Sequence, residues 1–519
     1  MLTISGKNCI GYADSALGAQ TFQAVNPVSD TVFGISFVQA TDAEVDLAVS
    51  KATEAFQIWS NEPLQNRVAF LKAIAVAVHS HSAELTRWYC EETGLPLSRA
   101  KTELERSCFQ FESYAEAIAS GFALSIRIEP SSGPGKPDLR KMNVPLGAVV
   151  VFGASNFPFA YSTLGGDVAS ALAAGCPVIV KAHPMHPHTS ELSARIILSV
   201  AREMGLPDGV FSHLHAIDYK VGEQLVLHPH IKAVGFTGSI QGGTTLVRLA
   251  NSRLVPIPVY AEMGSSNPMV FTTEVLAVRS ESIAKEVAAS ISLSAGQFCT
   301  SPGLLFMVDS DATKQFLSSL AALLQKTEPQ IMLHPGIYKQ YEQQASQHLE
   351  GSEILVNGLR LNNEIQPSLV RISSRQLLRE PGRAEEVFGS FATAVVCENE
   401  SELLACLNAL SGQLTASLYL EPHENGAILM SALQRFAGRI IVNGVPTGVA
   451  VSAAMQHGGP FPSSSIPSST AVGSDAIQRF MRPVCFQNVT DDLLPNSLKI
   501  ANPEGLLRFV NGLFTNAPC

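Results

Sequence analysis

One cysteine of the chain, Cys299, has the surroundings expected of a nucleophile. It lies in Ser294-Ala-Gly-Gln-Phe-Cys-Thr-Ser-Pro-Gly303, a run of small and polar residues between an apolar helical pattern and an apolar strand pattern. Such a run lets the backbone turn and present the sulfur to a cavity. A lone cysteine is more often an inert, small apolar residue. The prediction of a reactive thiol therefore depends on three partners: Asn156, Glu262 and Glu386.

Two of these partners have side chains suited to chemistry on a carbonyl group. Asn156 follows an apolar strand pattern in Phe152-Gly-Ala-Ser-Asn-Phe-Pro158. Its amide could donate to a developing oxyanion, although asparagine also serves simply to stabilise turns. Glu262 ends another apolar strand pattern, where a carboxylate facing a crevice could act as a general base. A surface glutamate at a strand end is the alternative.

A third segment has the composition of a phosphate-binding turn. The chain contains neither GxGxxG nor GxxxxGK[ST], the two common phosphate-loop motifs. Instead, Val234-Gly-Phe-Thr-Gly-Ser-Ile-Gln-Gly-Gly243 places Gly238 and Ser239 between a strand pattern and a helix pattern. Small residues there would let phosphate oxygens approach the helix N-terminus, but a tight turn without a ligand explains them equally well.

Composition limits the classes of partner. The 519 residues carry a net charge of −10 without long charged blocks, which disfavours nucleic acid and membrane surfaces as partners and favours small molecules and copies of the chain itself. Nine scattered cysteines without CxxC pairs predict neither disulfides nor a metal site. We see no signal peptide or transmembrane segment, and we expect a cytoplasmic protein.

The sequence pattern predicts an α/β protein with a doubly wound parallel sheet. Helical patterns cover 42–59, 65–79, 83–94 and 98–120, and Thr41-Asp-Ala-Glu44 is a capping box at the first helix start. From Val144 onward, short apolar strands alternate with helices, including one predicted over 161–174. This alternation implies right-handed crossovers and a ligand site at the carboxyl ends of the strands.

The same reading divides the chain into parts. Residues 1–123 and 144–267 are predicted to form a dinucleotide-binding domain and 268–440 an α/β catalytic domain that carries Cys299. Residues 441–481 return to the first domain. The segments 124–143 and 482–519 fit neither unit, and we expect them to form an oligomerisation arm and a C-terminal tail, because extended segments of this kind often pair between subunits.

Six motifs in order resemble the aldehyde dehydrogenase superfamily. They are Ser-Asn-Phe-Pro, Phe-Thr-Gly-Ser, Glu-Met-Gly-Ser-Ser-Asn-Pro, Gly-Gln-Phe-Cys, Glu-Glu-Val-Phe-Gly-Ser and Val-Asn-Gly. The resemblance covers nearly the whole chain. It implies that Cys299 is the nucleophile, that Asn156 is an oxyanion donor beside the Cys299 N–H, and that Glu262 is the base. A thiohemiacetal would lose hydride to a nicotinamide, and water would hydrolyse the resulting thioester.

The resemblance also implies positions that hold the dinucleotide: Phe152, Gly153, Ala154, Ser155, Lys181, His183, Lys220, Gly238, Ser239, Glu386 and Phe388. Many NAD-preferring relatives have a ribose-binding glutamate three residues beyond the strand-end lysine, where this chain has Pro184. Without that carboxylate, Lys181, His183 and Lys220 could attract a 2′-phosphate. We therefore expect NADP as the cofactor, with NAD possible.

Within the superfamily the chain is most similar to the 2-oxoglutarate semialdehyde (2,5-dioxopentanoate) dehydrogenases, and NADP-linked long-chain aldehyde dehydrogenases share much of the pattern. The first substrate needs a cation at the far end of its tunnel. We predict that Arg106 and Gln110, at i and i+4 on one helix, hold the distal carboxylate, with Phe159 also contacting substrate. The alternative is a surface arginine paired with Glu103 or Glu105.

Three other functions stay open at this point. A non-catalytic binding protein would have no reason to keep all four site residues. A CoA-acylating relative generally lacks a base at the Glu262 position, and a thioesterase would use only the acyl half of the cycle. The resemblance further implies a homodimer or a homotetramer.

Overall fold

A computed structural model describes residues 2–131 and 133–519. The α-helices of these residues are, in chain order, α1 (Asp42–Trp59), α2 (Leu64–Ser80), α3 (Ser82–Thr93), α4 (Leu97–Ala119), α5 (Gly166–Ala174), α6 (Pro187–Glu203), α7 (Lys220–Leu227), α8 (Ile240–Asn251), α9 (Thr273–Ser292), α10 (Asp311–Leu324), α11 (Pro335–Leu349), α12 (Ser374–Arg379), α13 (Glu400–Ala409) and α14 (Ala427–Gln434). None of these helices is both long enough and apolar enough to cross a membrane.

The β-strands of the same residues are β1 (Asn8–Ile10), β2 (Ala13–Ser15), β3 (Thr21–Phe22), β4 (Phe37–Val38), β5 (Arg127–Glu129), β6 (Leu139–Pro145), β7 (Ala148–Phe152), β8 (Val178–Lys181), β9 (Phe211–Leu214), β10 (Ile231–Thr237), β11 (Val259–Glu262), β12 (Met269–Phe271), β13 (Leu304–Val308), β14 (Gln330–Ile331), β15 (Glu353–Val356), β16 (Arg360–Leu361), β17 (Glu364–Ile365), β18 (Ser368–Ser373), β19 (Phe391–Cys397), β20 (Gln413–Tyr419), β21 (Ala437–Val442), β22 (Met481–Gln487), β23 (Arg508–Val510) and β24 (Leu513–Thr515).

The first large sheet has the strand order β11-β10-β7-β8-β9-β1-β2, and its strands from β11 to β9 are parallel. The chain runs from β7 through β8 to β9 in one direction and then returns to place β10 and β11 on the other side of β7. This reversal makes a crevice between the carboxyl ends of β7 and β10, the usual ligand site of such a sheet. The predicted α/β class and doubly wound parallel sheet are confirmed.

The second large sheet has the order β15-β18-β19-β13-β12-β20-β21. All its neighbouring strands are parallel except β15, which is antiparallel to β18 at one edge. Its central strands are buried along their whole length, as parallel strands covered by helices on both faces must be. Helices α9 and α10 pack against one face, and α12, α13 and α14 pack against the other.

The two segments that fit neither unit pair with each other. Strands β5 and β6 from the first segment and β22, β23 and β24 from the second form one sheet in the order β22-β6-β5-β23-β24. Strand β22 aligns with all seven residues of β6. The predicted arm is thus a sheet within one chain. Pairing between subunits stays a prediction.

One predicted helix is shorter than its sequence pattern indicated. The helix expected over 161–174 begins at Gly166, because the preceding residues form tight turns. Gly165 N donates to Ser162 O at 2.8 Å, and Gly166 N donates to Ala160 O at 3.1 Å. A Cβ atom at Gly165 would lie only 2.8 Å from Ser162 backbone atoms. Helix α1, in contrast, begins where predicted, and both hydrogen bonds of its capping box are present.

Candidate active site

The predicted nucleophile and base lie in contact range, together with a histidine that the sequence did not indicate. Cys299 Sγ is 3.7 Å from His457 Nε2, and this nitrogen is 3.0 Å from Glu262 Oε1. Glu262 and His457 are buried, whereas Cys299 is half-buried. Glu262 is the last residue of β11, and His457 belongs to the long loop that follows the second sheet. The three side chains form a compact group that can exchange protons.

The surroundings of Cys299 favour the protonated thiol. Burial raises the pKa of Cys299 well above its ordinary value, and the negative charges of Glu262 and Glu386 raise it further, while Arg106 opposes them. The resting side chain is therefore a thiol at neutral pH, and a base must remove its proton before it can attack. A cysteine can become reactive either because its site holds a standing thiolate or because a base such as Glu262 takes its proton when substrate binds, and this environment favours the second.

A strained turn fixes Cys299 in place. Ser294, Ala295 and Gly296 have φ angles of 52°, 56° and 67°, a run of left-handed conformations that costs free energy for the two non-glycine residues. Gln330 accepts from Ala295 N at 2.8 Å, and the Gln297 side chain donates to Ser294 O at 3.1 Å. Strain held by such bonds is a common property of reactive loops.

Asn156 lies beside the nucleophile loop, and its role as an oxyanion donor stays a prediction. Its Nδ2 donates to Gln297 O at 3.2 Å, which brings the amide beside the nucleophile loop and leaves a second N–H on the same nitrogen. Among the described residues, no protein acceptor takes the Cys299 N–H. Across the loop, Asn267 Nδ2 donates to Cys299 O at 2.9 Å and Ser301 O at 2.8 Å. The Asn156 amide and the Cys299 N–H are thus both available at the nucleophile loop.

The crevice of the first sheet has features that suit a dinucleotide. Ser239 is the N-cap of α8 and accepts from Gly242 N at 3.1 Å, so the first helical N–H groups face the turn after β10. Lys181 ends β8, and its Nζ donates only weakly, to Ala216 O at 3.4 Å. Burial lowers the pKa of Lys181 to about 8, which still leaves it largely charged at neutral pH. The N-terminus of α8 and the Lys181 ammonium both offer positive charge and N–H donors at the ends of strands, so this edge of the sheet is suited to bind phosphate groups.

The other predicted cofactor positions lie around this crevice or between the sheets. Phe152 packs against Phe236 with ring centroids 6.1 Å apart. Glu386 is half-buried, and burial raises its pKa to about 8. A Cβ atom at Gly264 would lie 2.3 Å from Glu386 Oε2, so the carboxyl rests directly on that backbone. The remaining predicted positions on these loops are Gly153, Ala154, Ser155, Gly238 and Phe388, the last of which lines a small cavity with Glu386.

Two of the predicted cofactor residues are less suited to attract a phosphate than the sequence indicated. Burial, with the nearby charges of His186 and Lys181, holds the pKa of His183 well below its ordinary value. Its imidazole is therefore neutral and offers no positive charge. Lys220 Nζ lies 3.0 Å from Asp42 Oδ1 in an exposed ion pair at the start of α7. Of these three predicted cations, Lys181 is the one that is charged and has no ion-pair partner among the described residues.

A cavity of about 760 Å³ lies next to the nucleophile loop. It is lined by Phe157 and Phe298, which adjoin Asn156 and Cys299, and by Arg99, Arg106 and Val449. Arg106 donates to Val449 O and, at 3.1 Å, to the Tyr161 hydroxyl. It does not pair with Glu103 or Glu105, so the alternative of a surface ion pair is wrong.

The structure corrects two predicted substrate contacts. Gln110 is fully buried beside Tyr114 and Gly166 and does not line the cavity, because the position four residues after Arg106 points into the packing between α4 and α5. Phe159 is also fully buried and stacks on Tyr89 at 5.0 Å. Phe157, two residues earlier in the chain, lines the cavity instead.

A second arginine of the cavity was missed by the sequence reading. Arg99 Nη2 donates to Asn156 O at 2.7 Å, and its guanidinium lies 4.5 Å from the Phe298 ring centroid. Its Nε and Nη1 are buried without a hydrogen-bond partner among the described residues. Arg99 precedes Arg106 by seven residues on α4, two helical turns that bring both to one face. That seven-residue spacing in the sequence could have indicated Arg99. No sequence pattern indicated His457, because it lies in an irregular loop.

Comparisons with known proteins show the family of this chain. A protein-family model described as "Aldehyde dehydrogenase family" matches residues 12–484 of the chain. The chain is 42% identical to an alpha-ketoglutaric semialdehyde dehydrogenase 2 of Azospirillum brasilense, over 98% of this chain and 99% of that protein. It is 40% identical to an alpha-ketoglutaric semialdehyde dehydrogenase of Acinetobacter baylyi, with the same coverage of both chains.

Solved structures share the fold at lower identity. The crystal structure of methylmalonate-semialdehyde dehydrogenase from Oceanimonas doudoroffii superposes with a TM-score of 0.81 at 20% identity, covering 94% of this chain and 98% of that one. A 1-pyrroline-5-carboxylate dehydrogenase gives a TM-score of 0.80 at 22% identity, with 93% and 92% covered. At such identities the likeness extends to the architecture alone.

Proposed function

The chain belongs to the aldehyde dehydrogenase family and is an aldehyde-oxidising oxidoreductase, and from this premise we propose that it oxidises 2-oxoglutarate semialdehyde to 2-oxoglutarate. The observation that carries the substrate is a pair of arginines, Arg99 and Arg106, in the cavity beside Cys299. Among the described residues neither has a carboxylate partner. A substrate with a distal α-keto acid supplies that partner.

The catalytic cycle begins with proton transfer from the Cys299 thiol to Glu262. His457 lies between the two groups and can pass this proton on. The sulfur then adds to the aldehyde carbon, and the oxyanion that forms accepts hydrogen bonds from Asn156 Nδ2 and the Cys299 N–H. Removing one such donor typically lowers kcat by about 10²- to 10³-fold.

Collapse of this adduct leaves a thioester on Cys299. NAD(P)+, which the family uses as its oxidant, supplies the hydride acceptor when bound. Glu262, after losing the thiol proton, deprotonates a water molecule that attacks the thioester carbon. The carboxylate product leaves, and the sulfur takes back a proton. The base at position 262 supports hydrolysis over transfer to CoA.

Two arginines give the cavity its preference for an acidic substrate. The positive charge of Arg106 acts on the thiol, since it opposes the rise in the Cys299 pKa. We expect Arg106→Ala to raise KM for 2-oxoglutarate semialdehyde by about 10- to 100-fold, the value of a charge-assisted hydrogen bond, and to leave KM for a neutral aldehyde unchanged. Arg87→Ala removes an exposed arginine from α3 and serves as the matched control. Equal effects on both substrates would contradict the role.

The preferred cofactor in this proposal is NADP, with NAD as the second candidate. Lys181 supports it as an unpaired cation, and Pro184 supports it because no carboxylate stands there to repel a 2′-phosphate. Measurement of kcat/KM with NADP and with NAD tests this proposal. A higher kcat/KM with NAD would contradict the proposed preference for NADP. Introducing the missing carboxylate with Pro184→Glu should lower kcat/KM for NADP more than for NAD.

The deciding experiment is a substrate panel with each dinucleotide: 2-oxoglutarate semialdehyde, succinic semialdehyde and a long-chain aldehyde. The proposal expects the highest kcat/KM for the first. A long-chain aldehyde dehydrogenase would prefer the third, and that outcome would replace the proposal. Cys299→Ala should abolish formation of reduced dinucleotide with every substrate.

The assembly in this proposal is a homodimer or homotetramer built on the arm sheet. Its edge strand β24 carries Leu513 and Phe514 with 73% and 69% of their surface exposed. Unpaired edge strands with exposed apolar side chains readily pair with another chain.

A further inference from the structure

The group of Glu262, Cys299 and His457 has the composition of a transition-metal site. A thiolate, an imidazole and a carboxylate are the three ligand types that Zn²⁺ prefers. We propose that these residues bind Zn²⁺ and that the bound ion reversibly blocks the nucleophile. The blocking effect rests on the proposed function, whereas the binding of the ion does not.

The spacing of the ligand atoms matches a tetrahedral ion. His457 Nε2 lies 3.0 Å from Glu262 Oε1 and 3.7 Å from Cys299 Sγ, and all three ligand atoms lie within 4.8 Å of one another. With Zn–N and Zn–O bonds of about 2.1 Å and a Zn–S bond of about 2.3 Å, tetrahedral geometry requires about 3.4 Å and 3.6 Å for the same two pairs. For these two pairs, side-chain shifts of a few tenths of an ångström suffice, and the Glu262 and Cys299 ligand atoms, which lie within 4.8 Å of each other, must approach to about 3.6 Å.

The ligand atoms are also free to bind. Glu262 is buried, and within the described part of the chain the polar atom recorded close to its carboxylate is His457 Nε2, itself one of the three ligand atoms, at 3.0 Å from Oε1 without hydrogen-bond geometry. A buried carboxylate with so little compensation is costly, and a divalent cation would compensate its charge. Zn²⁺ binding replaces the thiol proton by a Zn–S bond and releases that proton to solvent. Water completes the fourth position of the ion.

No second group of this kind occurs among residues 2–131 and 133–519. His423 and Glu274 form an exposed pair at 2.6 Å without a thiol, and this pair provides a natural comparison. The thiolate predicts selectivity: Zn²⁺ and Co²⁺ should bind, whereas Mg²⁺, which prefers oxygen ligands, should not.

The test uses the full chain, with the exposed Cys485 and Cys519 replaced by serine so that they cannot bind the ion. Titration with CoCl₂ should give one equivalent of binding and a near-ultraviolet thiolate-to-cobalt absorption band. ZnCl₂ should displace the cobalt, slow the labelling of Cys299 by iodoacetamide and inhibit aldehyde oxidation until EDTA is added.

Variants locate the ion. Cys299→Ser should abolish the absorption band, and His457→Asn should weaken Co²⁺ binding by at least about tenfold. His423→Asn should change neither. Equal binding in parent and His457→Asn, or cobalt binding without the band, would overturn the proposal. Because absorption and labelling need no turnover, they can support the metal site even if 2-oxoglutarate semialdehyde is not the substrate.

Discussion

The resting nucleophile is a protonated thiol beside a buried carboxylate. This arrangement protects Cys299 from oxidation and alkylation while no substrate is bound, since the thiolate is the reactive form. In the proposed cycle it also gives Glu262 two successive tasks, because the same carboxylate takes the thiol proton and later activates water. His457, in contact with both, lets the proton move without a large displacement of either side chain.

Removing the charge of Glu262 should therefore have opposite effects on labelling and turnover. In the parent, iodoacetamide labelling of Cys299 should rise about tenfold per pH unit from pH 6 to 9 without levelling off, because the raised pKa lies above that range. Glu262→Gln lowers that pKa, so labelling at pH 7 should be faster, while steady-state turnover falls for lack of a base. Mass spectrometry gives the labelling rates.

A matched control for this change is Glu116→Gln, an exposed carboxylate on α4 that does not line the cavity. It should alter neither labelling nor turnover. Slower labelling in Glu262→Gln would mean that Glu262 activates the thiol at rest, which contradicts the electrostatic argument.

The sequence predicted those site residues that stand at strand ends or in marked loops. Glu262 ends an apolar strand and Asn156 follows one, so their meeting with Cys299 could be inferred from the resemblance and the parallel sheet. His457 reaches the thiol from an irregular loop 158 residues along the chain. No local sequence pattern indicates a contact between residues so far apart in the chain. Arg99 was missed for a different reason, since its cavity wall forms only when α4 packs beside the nucleophile loop.

The turn from Leu293 to Gly296 decides where the nucleophile stands. It closes α9 and leads into β13, and it is held against the loop before β19. Gly296 has a φ angle of 67°, and a Cβ atom there would lie 2.3 Å from the Gly389 carbonyl carbon. Glycine is required both for the backbone angle and for this close approach.

Gly296→Ala should consequently lower kcat and reduce the free energy of unfolding by more than the backbone angle alone explains. Gly205 separates the two effects, because it has nearly the same φ angle, 68°, with no atom near its missing side chain. Gly205→Ala should cost about 1 kcal/mol and leave kcat unchanged. Urea unfolding and steady-state kinetics measure both changes. An unaltered kcat in Gly296→Ala would show that the turn does not position Cys299.

Most helices and the central strands of both sheets were predictable to within a few residues, because periodic apolar patterns and caps define them. The exceptions have physical reasons. The start of α5 was misplaced because Tyr161 and Leu164 are buried in turns rather than in helix. Strands β1 and β2 have three residues each, too few to show a period, and they are strands only because β9 offers β1 an edge.

The whole chain brings the two large sheets together at the site. Glu262 and Asn156 come from the first sheet, Cys299 and Glu386 from loops of the second, and His457 from the segment that returns between them. A domain boundary predicted near residue 267 therefore falls beside the catalytic group, with Asn267 bonded to the nucleophile loop. The strand and helix patterns could indicate two units, and the resemblance implied that Cys299 meets Glu262, but neither indicated that this meeting lies at the junction of the two units.

The arm sheet has an unpaired edge at which two copies of the chain could associate. Its edge strand β24 exposes Leu513 and Phe514, and pairing of this edge with a second copy would bury both. We expect the parent to sediment as a dimer or tetramer of the 55.3 kDa chain. Phe514→Asp should shift it toward the monomer by placing a charge in the interface. Leu254→Asp is the matched control, because Leu254 is fully exposed on the loop after α8, away from the arm. A monomeric parent, or equal assembly in Phe514→Asp and parent, would exclude β24 as the interface.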